Sequence, residues 1–491
     1  MLRVASPSSS APLLPPTPRR RLLSNGMLNL IWLALLFSGV LVAVLTGKLD
    51  AVGQGGLNAA KSAVMDLALP LVGVMALWLG LMRLAEKSGL IQRLGRVIRP
   101  IMLRLFPDVP SDHPAIGAMM MNISANMLGV SNAATPLGLK AMTELNRLNS
   151  KPGVATNAMC TFLAINTASI QLIPATAINL LAINGSKNPS AIVGSTLLST
   201  TFATVCAIVT VKVLERFGPF RWENQPAPAT PEPSIVQTNT DEQPATESAP
   251  AQSTVGPQWR QPDEASRSLK RRGEVWARCA LIVLLLVFLG AFVSKAFPYL
   301  FGAAPWPSDL LAGFILVLKA LSPIAVPFVL TFFPLYAFGR GVPIYSEFIE
   351  GAKEGFQTAL RIIPYLVAML VAIAVFRESG ALDFLKFLLS PILGLLQIPS
   401  EMLPMVLMRP LSGSGSLAVL SDMIKQFGPD SLLTYTAATI YGSAETTFYV
   451  IAVYFGSVGI TRIRHAIFAG LLADLAGAVA AVFVCRLLFG G

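Results

Sequence analysis

Arg409 and Glu445 are set in apolar surroundings, "MRPLSGSGSLAVLSDMI" (408–424) and "YGSAETTFYVIAVYF" (441–455). An ionisable side chain in hydrocarbon is costly unless it faces a partner or a water-filled cavity. Two chemistries follow and stay open at this point. Arg409 and Glu445 form a structural ion pair, or Glu445 titrates and couples a proton or Na⁺ to movement of a solute that Arg409 touches. Ser412, Ser443, Thr446 and Thr447 would add hydroxyls. Pro410, Gly413 and Gly415 break the helix around Arg409, and Ser414 or Ser416 is expected to cap the next one.

A second polar break reads "MNISANMLGVSNAATPLGLKAM" (121–142). Irregular backbone at membrane depth survives only where protein or a water-filled cavity receives its polar groups. The spacing predicts a short re-entrant helix over 114–130, ending at Gly129, and a tip at 131–135. Pro136 would then start the outgoing helix at its first position, with Thr135 or Asn132 as cap. Asn122 and Asn126, one helical turn apart, would share a face of a polar cup. The bland reading is that these amides and small residues glue helices together. A third break, "NTASIQLIPATAIN" (166–179), has Pro174 kinking or interrupting a span. It sets Asn166, Ser169 and Gln171 where the second half has Gly442, Glu445 and Thr447.

The elements that must hold these residues are membrane helices. Hydrophobic residues make up 54% of the 491 and charged residues 13%, about half the charged share of a soluble protein. Apolar runs of spanning length recur near 27–46, 63–84, 154–183, 190–214, 275–299, 310–338, 353–376, 431–458 and 463–489, with shorter ones near 90–106, 114–130, 380–397 and 402–420. The net charge of +11 sits mostly in short loops beside these runs, as the positive-inside rule requires, so nucleic acid is not an expected partner. The run from Met27 is read as a retained signal anchor. Cys160, Cys206, Cys279 and Cys485 are scattered and expected to be free thiols. With His113 and His465 they give no metal-ligand spacing.

Residues 217–272 are proline-rich and poor in aliphatic clusters, the composition of a disordered linker. Basic flanks place it in the cytoplasm. The expected organisation is a disordered basic tail (1–26), membrane module 1 (27–216), the linker (217–272) and membrane module 2 (273–491). The modules are related: "EKSGLIQRLGRVIRP" (86–100) aligns with "RESGALDFLKFLLSP" (377–391), superposing Ser88–Gly89 on Ser379–Gly380 and Pro100 on Pro391. Arg83, Lys87, Arg93, Arg96, Arg99 and Arg104 crowd the first loop, whereas its counterpart carries Arg377 and Lys386. The bias reverses at "TRIRH" (461–465) against "GSKNPS" (185–190). One span precedes the repeat in module 1 and two in module 2. The expected fold is therefore an all-α polytopic membrane protein with two inverted-topology repeats of re-entrant and broken helices, an arrangement typical of secondary transporters.

"NMLGVSNAATPLGLKAMTELNRLN" (126–149) resembles the spore maturation protein A family, and the stretch from "RPLSGSGS" (409–416) to "GLLADLAG" (470–477) resembles the spore maturation protein B family. The chain looks like a fusion of the pair. Both families belong to the nucleoside-recognition, or Gate, domain family, whose relatives include the membrane part of the bacterial ferrous-iron transporter and concentrative nucleoside transporters. The resemblance implies a bacterial inner-membrane location and movement of a small molecule or an ion. In spore formers the pair is associated with dehydration of the spore core. There is no GTPase domain and no cysteine in either polar break, which weighs against iron.

These readings converge on a secondary transporter or gated permease for a small polar solute. The expected site is lined by Asn122, Asn126, Asn132, Thr135, Asn166, Gln171, Arg409, Ser412, Ser414, Ser416, Glu445 and Thr446. The alternative is a non-transporting scaffold or assembly factor in spore or envelope maturation. No enzyme signature is present and no cofactor is expected beyond a coupling proton or Na⁺. The expected partners are the bilayer and a small polar solute; a homo-oligomer is left open.

Overall fold

The computed structural model describes residues 22–129, 131–221, 264–302, 307 and 309–490, and within its helices it leaves aside the side chains of 22–31, 67, 131–133, 264–275 and 361. The side chain of the expected site residue Asn132, and most of the expected linker and N-terminal tail, lie outside what is described. Among the described residues the fold is helical, with one isolated bridge between Val154 and Arg462. Among the described residues six helices are long and apolar enough to cross a membrane, or seven if a pair bent by 113° counts as one span.

Module 1 opens with α1 (Leu22–Thr46), α2 (Leu49–Ser62) and α3 (Leu69–Lys87); a π-helical turn, Ala63–Ala68, joins the last two into one rod. Gly89, left-handed at φ 77°, ends that rod, the geometry glycine adopts at low cost. It hands the chain to α4 (Leu90–Leu105), whose arginines make it amphipathic. A re-entrant pair follows, α5 (Pro114–Leu128) and α6 (Ser131–Arg147). Then come α7 (Asn157–Ala168), a break, α8 (Ala175–Ile183) and the spanning α9 (Ile192–Leu214).

Module 2 begins with α10 (Glu264–Ala296) and α11 (Leu310–Phe338) and then repeats this order. The long α12 (Ile344–Glu378) corresponds to the α2–α3 rod, and Gly380 (φ 86°) repeats the turn of Gly89 before α13 (Ala381–Leu395). The second re-entrant pair is α14 (Leu403–Met408) and α15 (Gly413–Phe427). A second broken span, α16 (Leu432–Gly442) and α17 (Thr447–Ser457), precedes α18 (Ala466–Phe489). Even the caps correspond. Thr156 Oγ1 accepts from Met159 N at the start of α7, and Ser431 Oγ accepts from Thr434 N at the start of α16.

The inversion is visible in how matching helices touch. A Cβ on Gly351 would lie 2.5 Å from the Leu79 carbonyl oxygen, one on Gly355 2.6 Å from that of Met75, and one on Gly55 2.7 Å from Glu378. Rising numbers on α12 meet falling numbers on the α2–α3 rod, so the two run antiparallel. Glycine at 351 and 355 lets the backbones meet without an intervening side chain, the close approach membrane helices favour. Arg83 adds an ion pair to Glu347 across the same seam, 2.8 Å. Loop contacts also match at the two ends: the α17–α18 loop meets the α6–α7 loop, Thr461 N donating to the Gly153 carbonyl, and the α8–α9 loop meets the α15–α16 loop, Ser186 Oγ and Lys187 N donating to Asp430.

Several sequence expectations are revised. α6 begins at Ser131, so Pro136 lies inside it and neither Thr135 nor Asn132 is its cap. Pro136 is only five residues in, where its missing N–H removes a single intrahelical bond. Ser412, not Ser414 or Ser416, caps α15 by accepting from Gly415 N at 3.0 Å. Backbone structure also reaches into both ends of the expected linker: Gly218–Phe220 forms a 3₁₀ turn and α10 starts at Glu264. All four cysteines are free, Cys160 and Cys485 buried and Cys279 exposed.

Candidate functional site

Both broken spans come apart at the level of the re-entrant tips, and the freed backbone is bonded in a matching way. Leu172 N donates to the Met127 carbonyl at the end of α5, and Phe448 N donates to the Pro410 carbonyl just past α14. Each break thus docks on the re-entrant pair of its own module. The breaks also touch each other, Glu445 N donating to the Thr167 carbonyl at 2.7 Å. Unwound backbone near the centre of the fold has therefore found protein partners, as hydrocarbon demands.

Where the breaks face α14 and α15 there is a cavity of about 150 Å³, lined by Gln171, Pro174, Thr176, Ala177, Arg409, Gly413, Tyr441 and Glu445. Arg409 is 5% exposed. Its Nε donates to the Tyr441 carbonyl at 3.1 Å and a terminal nitrogen donates to Thr446 Oγ1 at 3.3 Å. The guanidinium also lies 5.0 Å from the centre of the Tyr441 ring, within cation–π range. Its approach to Glu445 is longer, 3.9 Å, and the glutamate side chain is 38% exposed. Gln171 Nε2 reaches the other Glu445 oxygen at 3.4 Å. Gly413, first residue of α15, is in the wall, so the positive end of that helix adds to the field of Arg409.

The structure thus brings Gln171, Arg409, Glu445 and Thr446 together. Asn126 and Asn166 form a pair just behind the first break, Asn126 Nδ2 donating to Asn166 Oδ1 at 3.0 Å. Asn166 Nδ2 donates to the Phe162 carbonyl. Ser412, Ser414 and Ser416 build the start of α15, with Ser412 and Ser414 hydroxyls 3.3 Å apart and Ser416 Oγ donating to the Ser412 carbonyl. Asn122 is not in the cavity wall: its Nδ2 is held by the Ala134 carbonyl at 2.7 Å and by Tyr454 Oη at 3.3 Å. It ties α5 to α6 and α17, the gluing role. Thr135 lies on α6 and is not among the residues that line the cavity.

Sequence reasoning missed Tyr441 and, more important, Asp474 of α18. Asp474 is 7% exposed, and its Oδ2 accepts from Thr447 Oγ1 at 2.6 Å. The signal was present as a single carboxylate inside "AIFAGLLADLAGAVAAVF" (466–483), but attention to helix breaks passed over an unbroken helix.

The Gate family, described as nucleoside recognition, matches residues 68–220 and 359–461. The chain is 47% identical over 174 residues to spore maturation protein B of Bacillus subtilis (strain 168), an alignment spanning 35% of this chain and 98% of that protein. It is 43% identical over 183 residues to spore maturation protein A of the same organism, spanning 37% of this chain and 93% of that protein. Two matched regions lie on either side of the linker, each with its re-entrant pair or broken span, and the chain is a multi-pass membrane protein belonging to the nucleoside-recognition (Gate) family.

Proposed function

We propose that the chain is a secondary transporter or gated permease of a bacterial inner membrane that moves a small polar solute through the cavity between its two inverted modules. The observation that carries this reading is the convergence of Gln171, Arg409 and Glu445 on one cavity at two broken helices. Unwound helix segments at an inverted-repeat interface are where transporters of this architecture bind cargo. A guanidinium and a helix N-terminus on one side, with a carboxylate and an amide on the other, suit a solute that both accepts and donates hydrogen bonds. At about 150 Å³ the cavity falls below the roughly 300–1,000 Å³ of ordinary ligand pockets. A nucleoside-sized solute therefore requires the re-entrant pairs to part, and the described conformation is a closed one. The basic residues at 83–104, 212–221 and 461–465 favour a topology with those segments, the N-terminus and the linker on the cytoplasmic side.

The test is apparent melting temperature of the purified protein against nucleosides, nucleobases, small dicarboxylates and divalent metals. A compound that binds the native state raises it by mass action. A selective rise that vanishes in Glu445→Gln and Arg409→Met supports the reading; no rise with any compound counts against it.

A non-transporting scaffold role in spore or envelope maturation is the second reading. It is favoured by the internal bonding of Arg409, which already has partners in Tyr441 and Thr446 without a solute.

A further inference from the structure

A buried carboxylate without a cationic partner must lose its charge or hold a cation, because isolated charge in a low-dielectric interior is too costly to keep. Asp474 is such a group. Its Oδ2 accepts the Thr447 hydroxyl, while Oδ1 is fully buried and has no hydrogen-bond partner among the described residues. One turn before it on α18, Gly470 faces the Thr447 and Thr167 hydroxyls; one turn after it, Gly477 faces the Ser443 hydroxyl and Ala203 of α9. The face of α18 that carries Asp474 therefore looks onto both helix breaks, and the neighbours there are hydroxyls and alanine. α7 contributes Thr167, α16 is followed by Ser443, α17 contributes Thr447, and α9 contributes Ala203. The charged groups near enough to act on Asp474 are Arg409 and Glu445 of the cavity, and neither makes a hydrogen bond or ion pair with it among the described residues.

We propose that Asp474 is a proton-binding site whose occupancy is coupled to the solute cavity through Thr446 and Thr447. The proposal rests on the transport reading above. Thr446 and Thr447 are adjacent at the start of α17 and bond in different directions: the Thr446 hydroxyl accepts from Arg409 and the Thr447 hydroxyl donates to Asp474. Deprotonated, Asp474 is an acceptor only and holds the Thr447 hydroxyl strongly. On taking up a proton at Oδ1 the carboxyl becomes neutral, that bond weakens, and the first turn of α17 is freed to move with the segment 443–446. That segment carries Glu445 and abuts Arg409. Proton uptake in the helix interface is thereby communicated to the cavity wall over two residues. Na⁺ would need several further oxygens converging on Oδ1, and competition by sodium separates that case from proton binding.

The experiment is modification of the purified full chain by dicyclohexylcarbodiimide, which adds to protonated carboxyls in apolar surroundings, with the adduct mapped by peptide mass spectrometry. The expected result is an adduct on Asp474 that is equal in sodium and in choline chloride and is retained in Glu445→Gln. An adduct on Glu445 but not Asp474, or none on either, overturns the proposal. Protection of Asp474 by sodium but not choline also overturns it, in favour of a Na⁺ site. The readout needs no solute. Labelling of Asp474 without any solute-induced thermal shift would sink the transport reading, and the coupling with it, while leaving the proton site; a solute shift without Asp474 labelling would sink this inference alone.

Discussion

Replacing Glu445 by Gln separates a functional acid from a structural one. The Arg409–Glu445 approach is 3.9 Å and the glutamate side chain is 38% exposed. A pair of that length and exposure contributes under about 1 kcal/mol. The amide also keeps an oxygen to accept from Gln171. Glu445→Gln should therefore lower the apparent melting temperature by no more than about 3 °C. Arg409→Met is the contrast. It removes donors to the Tyr441 carbonyl and the Thr446 hydroxyl, and hydrogen bonds from a charged group contribute roughly 1.5–3 kcal/mol each. About 3–6 kcal/mol should be lost, well beyond the effect of Glu445→Gln. Thermal unfolding in detergent, followed by intrinsic fluorescence for both variants, reads the comparison. Both variants should also lose any solute-induced shift. If Glu445→Gln destabilises as much as Arg409→Met, the carboxylate is part of a structural ion pair and the reasoning fails.

Other outcomes follow from the packing. Gly355→Ala puts a methyl group 2.6–2.7 Å from backbone atoms of Met75 and Ala76, which flexible side chains cannot relieve. A loss of about 1–3 kcal/mol is expected, readable as a lower melting temperature, whereas Gly73→Ala, with nothing near its Cβ, should be close to neutral. Asn126→Ala breaks the bond to Asn166 and should cost about 1 kcal/mol by the same measurement. His465 lies in the loop before α18, where burial, with Arg464 and Lys212 nearby, pushes its imidazole down to about 4. A depressed histidine favours folding fully above the unfolded value near 6.5 and loses that contribution as pH falls toward 4, up to about 3 kcal/mol. His465→Leu should flatten that part of the acid limb in a melting-temperature series from pH 7 to about 4. An unchanged limb would place the acid sensitivity elsewhere.

Much of this arrangement was legible in the sequence because membrane insertion makes polar residues informative. Arg409, Glu445 and Gln171 stood out as ionisable or amide groups in apolar runs, and the structure gathers them at one cavity. The basic bias, which favours 83–104 over its counterpart at 377–401 and then 461–465 over its counterpart at 185–190, foretold the inversion that Gly351 and Gly355 display at the α3–α12 seam. Local rules failed where tertiary bonding outweighed them. Pro136 reads as a helix start, yet α6 begins at Ser131 and its first turn is stitched to α5 by Asn122. Ser414 and Ser416 both looked like caps, and only the geometry of the Gly413 turn selects Ser412. Asp474 escaped because its meaning depends on what faces α18, and Thr447, Thr167 and Ser443 are brought there by two breaks distant in sequence.

Solute flux across a bilayer decides whether the chain is a transporter. The purified chain in proteoliposomes, loaded with an unlabelled compound chosen by thermal shift, should accelerate counterflow of its radiolabelled form over empty liposomes. Arg409→Met should abolish that acceleration even when the variant is reconstituted at a temperature where it stays folded. A folded wild-type chain that binds a solute but moves none across the bilayer would contradict the account and leave a membrane scaffold with a ligand pocket.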